Sequence, residues 1–243
     1  MQEPYDWDAY AEVFRSHAEA LTRVAEEAEA AGEKEKASEY YLRSSNVWCI
    51  SRFPIPRSKK QFLAWEEGKK TCLKGLQLRK HPIYERLVPH THAIKGEGSQ
   101  IPIYHQTPPG ASAGNPAPLV ILITGVDSYR TEIAAYMEGW CQQGVATIGV
   151  EIPGTGDSPA LKDDPKSADR QWSSLLDWTD AQDDIDHKRV AVWGFSTGGL
   201  YAIRLAYTHH DRVAAVVSHG GGCHHMFDRR WLDEVNNLEY PFE

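Results

Sequence analysis

Val190-Ala191-Val192-Trp193-Gly194-Phe195-Ser196-Thr197-Gly198-Gly199 is the stretch that decides the fold. Its first half is an apolar run without alternation, as expected of a strand buried on both faces. Thr197 to Tyr207 has the pattern of a helix. Between the two, Gly194-x-Ser196-x-Gly198 must turn the chain from strand to helix. A serine in such a turn holds strained backbone angles, and the flanking glycines let neighbouring segments come close. The turn lifts the hydroxyl above the sheet edge. It also aims the helix N-terminus at it, where the helix dipole favours developing negative charge. Gly-x-Ser-x-Gly alone is common; the strand before it and the helix after it give it meaning.

Upstream, the same strand-then-helix block recurs. Leu119–Thr124 leads into a helix from about Glu132 to Gln143. Val145–Ile152 leads, after a loop, into Gln171–Ala181, and Arg189–Trp193 leads into the helix after Ser196. Val213–Ser218 is a fourth strand of the same kind. Apolar strands joined by helices predict a parallel sheet covered on both faces, the α/β class. With the serine turn, the expectation is a partial α/β-hydrolase fold, its sheet mostly parallel, with Ser196 as nucleophile.

Residues 83–93 and 100–106 alternate around Lys95-Gly96-Glu97-Gly98, a hairpin signal, and residues 110–118 form a loop. The chain divides near residue 82, into a helical segment, 1–82, and a core, 83–243. In the first, Tyr10, Val13, Phe14, His17, Leu21 and Val24 repeat at spacings of three and four, and Gly32 is placed as a C-cap. A second helix runs from Lys34 to Arg52, stopped by Phe53-Pro54-Ile55-Pro56. Ser58 caps a third, with Phe62, Leu63, Trp65, Leu73 and Leu76 on its apolar side, ended by His81-Pro82.

Hydrophobic residues are 41% and charged residues 25% of the 243, an ordinary globular mix. A formal charge of −8 argues against a nucleic-acid binder, which needs a basic surface. The first residues show neither a basic nor an apolar leader region, and Leu119 to Ile123 is far short of the ~20 residues that span a bilayer. A cytoplasmic protein without membrane contact is the expectation. Cys49, Cys72, Cys141 and Cys223 lack CxxC spacing and are expected to be free.

An oxyanion needs two backbone N–H donors. Thr197, directly after the serine, supplies one; Val126, in the loop Thr124-Gly125-Val126-Asp127, is the candidate for the other. Asp127 orients that loop or contacts substrate, or equally caps the next helix. His219 ends the fourth strand and is expected to line the pocket. Glu151-Ile152-Pro153-Gly154-Thr155-Gly156-Asp157-Ser158 also follows a strand end, so it borders the site; its Gly-x-Gly is incomplete as a dinucleotide fingerprint and is expected to be a structural turn. His219, His224 and His225 lack the carboxylates or cysteines that would complete a metal site.

Four stretches carry a resemblance: Glu151 to Pro159, Asp169-Arg170-Gln171-Trp172-Ser173-Ser174, Trp193 to Gly199, and Ser218-His219-Gly220-Gly221-Gly222-Cys223-His224-His225-Met226-Phe227. They resemble the fungal yellowish-green-type heptaketide hydrolases of pigment biosynthesis, from about Tyr40 onward. More distantly the chain is similar to bacterial pseudooxynicotine-type C–C hydrolases, which share a helical N-terminal segment. The resemblance implies a polyketide substrate, shortened by hydrolysis of a carbon–carbon bond beside a carbonyl in the making of melanin-type pigment. By it, Ser196 attacks the ketone, the oxyanion sits between Val126 and Thr197, an enolate leaves, and water releases the acyl-enzyme. No metal or organic cofactor is implied. A lid or a homodimer contact is the expectation for the helical segment.

The chain departs from that pattern after Ser196. The acid and histidine should follow the serine in that order. The family has them after two further strands, which are absent here. The chain therefore reads as C-terminally truncated, leaving the edge of the fourth strand unpaired. A catalytically inactive remnant that only binds a ligand, and a carboxylesterase of the same fold, are the competing expectations.

Overall fold

The structure, a computed structural model, describes residues 6–222, 228–230 and 233. Three long helices come first: α1 (Trp7–Ala30), α2 (Lys34–Arg52) and α3 (Lys59–Gln77). Their ends are chemically marked. Gly32 takes φ +77 just past α1, and the Ser58 side chain accepts from Gln61 N–H at 3.3 Å. α3 ends before His81-Pro82: the amides of Arg79 and Ile83 turn back to Leu76 O.

The helices pack most closely through small residues, with Tyr10, Phe14, Leu21 and Val24 of the expected repeat half-buried around them. Ala11, Ala18, Ala25 and Ala28 are the buried positions of α1, whereas Val13 is 63% exposed. Four serines of α2 explain the close approach. Ser44 and Ser51 donate to Ala18 O and Ala11 O at 2.9 Å each, and Ser38 and Ser45 donate to Gly75 O and Gly68 O at 2.7 and 3.0 Å. Each pair is seven residues apart, two helical turns, so α2 binds α1 and α3 with two separate serine rows. A Cβ on Gly75 would meet Leu42 Cγ at 2.8 Å, which is why glycine sits there. On α3, Phe62 and Leu63 are exposed, while Trp65, Cys72 and Leu76 are buried.

The core is a six-stranded sheet in the order β1-β2-β4-β3-β5-β6. β1 (Tyr84–Pro89) and β2 (Gln100–Gln106) form the expected hairpin, and β2 runs antiparallel to β4 (Ala146–Val150). From β4 onward the sheet is parallel, through β3 (Ala117–Ile123), β5 (Ile185–Phe195) and β6 (Ala215–His219). Alternate residues of β3 face opposite sides. Leu119, Ile121 and Ile123 pack with α5 (Ser167–Asp180) and α6 (Thr197–Thr208). Val120 and Leu122 pack with α4 (Arg130–Cys141) and with Cys72 and Leu76 of α3, so the helical segment and the sheet share a core.

His105 on β2 is buried beside the Trp178 ring, and its Nε2 has no hydrogen-bond partner among the described residues. Burial lowers its pKa from 6.5 to about 4, with Asp184 opposing weakly. A histidine depressed in the folded state must be charged on unfolding in acid. Its contribution is therefore intact above the unfolded value of 6.5 and is lost as pH falls toward 4. Relative to wild type, His105→Phe should gain about 3 kcal/mol of stability between pH 7 and pH 4. Urea unfolding at both pH values checks this; a wild-type-minus-variant difference that stays constant with pH refutes it.

Candidate active site

Ser196 takes φ 50 and ψ −126, and it is the one non-glycine with positive φ among the described residues. Such an angle costs of order 1–3 kcal/mol and persists only where its surroundings force it. The forcing contacts are on both sides. Ser196 N–H donates to His219 O and Gly199 N–H donates to Ser196 O, each at 2.8 Å. A Cβ at Gly194 would overlap Gly198 O, and one at Gly198 would overlap Thr124 O. The two motif glycines thus let β5, α6 and the end of β3 meet at the serine. α6 starts at Thr197, so the positive end of its dipole begins at the residue after Ser196.

The loop after β3 closes on the same point. Thr124 N–H bonds Val150 O at 3.1 Å, and a Cβ on Gly125 would lie 3.2 Å from Ser196 Cβ and 3.6 Å from its Oγ. Val126 follows, 41% exposed, and its N–H is not spent on another described group. Asp127 does not cap α4. The cap falls at Tyr129, whose N–H donates to Glu132 Oε2 at 2.6 Å, because a glutamate three residues into the helix reaches back to that amide. Asp127 instead offers its carbonyl oxygen to Arg52 Nη1 at 2.9 Å. His219 meets the serine through its main chain. Its ring is parallel to Trp193, 14° between planes and 6.0 Å between centres, and lies 5.5 Å from Phe195.

The loop after β4 follows the strand paired with β3. Gly154 and Gly156 have φ +81 and +51, so this Gly-x-Gly is the structural turn expected. A Cβ on Gly156 would strike the Glu151 carboxylate, 2.7 Å from its carbon. That carboxylate is buried with Arg130: Nη1 reaches its two oxygens at 2.9 and 3.1 Å, and Arg130 N–H reaches Oε1 at 3.1 Å. Arg130 Nη2 also reaches Glu85 at 2.7 Å and Asp157 at 2.8 Å. Burial pushes the Glu151 carboxyl up, against the pull of Arg130. For Asp157 burial also acts upward, but Arg130 and Lys69 outweigh it and hold the carboxyl low. Lys69 Nζ and Trp65 Nε1 bind Asp157 at 2.9 and 3.0 Å, fastening this loop to α3.

Two of the quoted stretches turn out to be one scaffold. Gln171 accepts from Ser158 at 2.7 Å and donates to Glu151 O at 2.8 Å. Arg170 holds the buried Glu97 at 2.7 Å, and Asp169 holds Arg204 with both oxygens, at 2.6 and 2.7 Å. Arg52, Arg130 and Glu97 were not singled out from the sequence. Their charged and long-range partners lie 75 to 80, 21 to 45 and 73 residues away, and no local period marks such a pair.

Cys223, His224 and His225 lie outside the described residues. Cys49, Cys72 and Cys141 are free thiols. Among the described residues, no group of three or more His, Cys, Asp or Glu is placed to hold a metal ion, and no helix is long and apolar enough to cross a membrane.

Comparison with known proteins gives the same outline. A family model described as "Esterase FrsA-like" matches residues 23–238. The chain is 28% identical over 227 residues to the 20-hydroxy-prefusarin hydrolase FUS2 of Gibberella moniliformis, covering 89% of this chain and 52% of that protein. It is 29% identical over 167 residues to the 2,6-dihydropseudooxynicotine hydrolase of Paenarthrobacter nicotinovorans, covering 66% and 43%. With Esterase FrsA of Yersinia pestis it shares 25% over 196 residues, covering 78% and 44%. The chain thus spans about half the length of these curated relatives. Among solved structures, a 2,6-dihydroxy-pseudo-oxynicotine hydrolase superposes with a TM-score of 0.76 at 22% identity, covering 96% of this chain and 62% of that one. That likeness shows a shared α/β-hydrolase fold.

Proposed function

The chain belongs to the FrsA-like esterase family, and on that premise we propose that it is a serine hydrolase cleaving a carbon–carbon bond beside a carbonyl of a polyketide. The observation that carries the hydrolase reading is the backbone of Ser196, held at φ 50 with Gly125 packed against its side chain. In this reading the N–H groups of Val126 and Thr197 receive the oxyanion formed at Ser196. Ser196 Oγ adds to the ketone carbon as its proton passes to a general base. The carbon–carbon bond breaks with its electron pair leaving on the enolate fragment, which takes up that proton. Water then hydrolyses the acyl-enzyme and frees Ser196. The base and its orienting acid do not contact Ser196 among the described residues, so the activity is a proposal for the whole protein.

The choice of a carbon–carbon bond is supported by the four stretches that resemble heptaketide hydrolases, and the relatedness to the 20-hydroxy-prefusarin hydrolase FUS2 supports a hydrolase. The family description supports a second reading, a carboxylesterase using the same serine. Incubation with a heptaketide naphthopyrone and with a 4-nitrophenyl ester separates them. The first reading expects a shortened hydroxynaphthalene by mass spectrometry. Turnover of the ester alone selects the esterase. Failure of both, together with no covalent modification of Ser196 by a fluorophosphonate, sinks the hydrolase reading.

A further inference from the structure

Arg52 is the last residue of α2, far from Ser196 in sequence, yet its side chain is only 1% exposed. Nη1 donates at 2.9 Å to both Pro54 O and Asp127 O, and Nη2 donates to Glu132 Oε1 at 2.7 Å. The guanidinium lies 3.9 Å from the Tyr129 ring centre. Glu132 in turn holds Tyr129 N–H and the Thr131 hydroxyl at 2.6 and 3.0 Å. One planar cation therefore clamps the segment 127–132 at its first carbonyl, its ring and its glutamate. Val126, whose N–H would meet the oxyanion, is the next residue back.

We propose that Arg52 is a positioning residue: it fixes the Asp127 carbonyl and so aims the preceding amide at the oxyanion. This inference rests on the hydrolase reading of Ser196. It gives the helical segment a task other than covering the site, namely setting the geometry of the oxyanion loop from behind. Lysine cannot replace it, because a single ammonium does not reproduce the planar fork that serves two carbonyls and a carboxylate together.

The test compares wild type, Arg52→Met and Ser51→Ala. Ser51 is the neighbouring buried residue, and its loss removes a hydrogen bond to α1 without touching the loop. In amide hydrogen exchange, the peptide covering residues 124–129 should exchange at least about tenfold faster in Arg52→Met and be unchanged in Ser51→Ala. The second readout is the rate ratio of a 4-nitrophenyl ester to its thiono analogue, whose sulfur is a poor hydrogen-bond acceptor. That ratio should fall about tenfold in Arg52→Met and hold its wild-type value in Ser51→Ala. Equal exchange, or an unchanged ratio, in Arg52→Met overturns the proposal. If Arg52→Met does not fold, Arg52→Lys carries the same comparison with the same expected direction. If wild type cleaves neither ester, the exchange result alone decides whether Arg52 braces the loop, and the hydrolase reading is decided separately by the naphthopyrone and fluorophosphonate assays.

Discussion

Ser196→Ala is expected to abolish labelling by a fluorophosphonate and to lower turnover of the cleaved substrate by roughly 10⁴-fold or more. The hydroxyl is the atom that forms the covalent bond in the proposed mechanism, and the described residues offer no second nucleophile in its place. Alanine keeps a Cβ, so the backbone strain at φ 50 is unchanged, and the main-chain bonds to His219 and Gly199 do not involve the side chain. The melting temperature should therefore move little, which separates lost chemistry from lost fold. Intact labelling in the variant, or unchanged turnover, would falsify the assignment of Ser196. A melting temperature that collapses would show instead that the hydroxyl supports the turn.

The largest stability effect is expected at Arg130. Its side chain and that of Glu151 are each 1% exposed, and the Glu151 carboxylate takes two bonds from the guanidinium and one from Arg130 N–H. Burial alone would lower the pKa of Arg130, but Glu151, Tyr104 and Asp157 raise it well above its usual range, so it is charged at any working pH. Arg130→Met leaves Glu151 buried without its cation and also removes the guanidinium contact of Glu85 and one of the partners of Asp157. Removing one member of such a pair costs about 3–5 kcal/mol. The loss should depend on pH. Burial already raises Glu151, and without Arg130 it rises further. A carboxyl raised in the folded state weakens the fold as pH climbs from its unfolded value, 4.5, through its folded one. The deficit of Arg130→Met should therefore be largest at pH 7 and shrink toward pH 5. Arg130→Met with Glu151→Leu should recover much of it, since an apolar pair leaves no buried charge uncompensated. Urea unfolding of wild type and the two variants measures each term. A deficit below about 1 kcal/mol at pH 7 would mean that water reaches this pair after all.

Much of this architecture was legible in the chain. The strand-helix blocks, the hairpin, the Gly32 stop and the Ser58 cap appear where their residues place them, because each depends on neighbours within a few positions. The β5-to-α6 turn was legible for the same reason: two glycines and a serine at fixed spacing leave the backbone few other paths. The reading of α1 was less accurate. It expected Val13 inward with the rest of its apolar repeat, while the alanines take the closest contact, because the Ser44 and Ser51 bonds to Ala18 and Ala11 carbonyls draw α2 too close for larger side chains. Of the roles left open for Asp127, capping α4 falls away: the cap is Tyr129, whose amide Glu132 satisfies.

By itself, then, the sequence determined the class of the fold, the order of its elements and the serine at the turn. Period and spacing act between near neighbours, so they survive in a one-dimensional reading. Only the tertiary structure decided what holds that serine's surroundings in place. Arg52 reaches the loop before α4, Arg130 locks the loop after β4, and α3 grips Asp157, each across dozens of residues. A buried charge is tolerated only where its partners converge in space, and no local pattern in the chain records where that convergence will be.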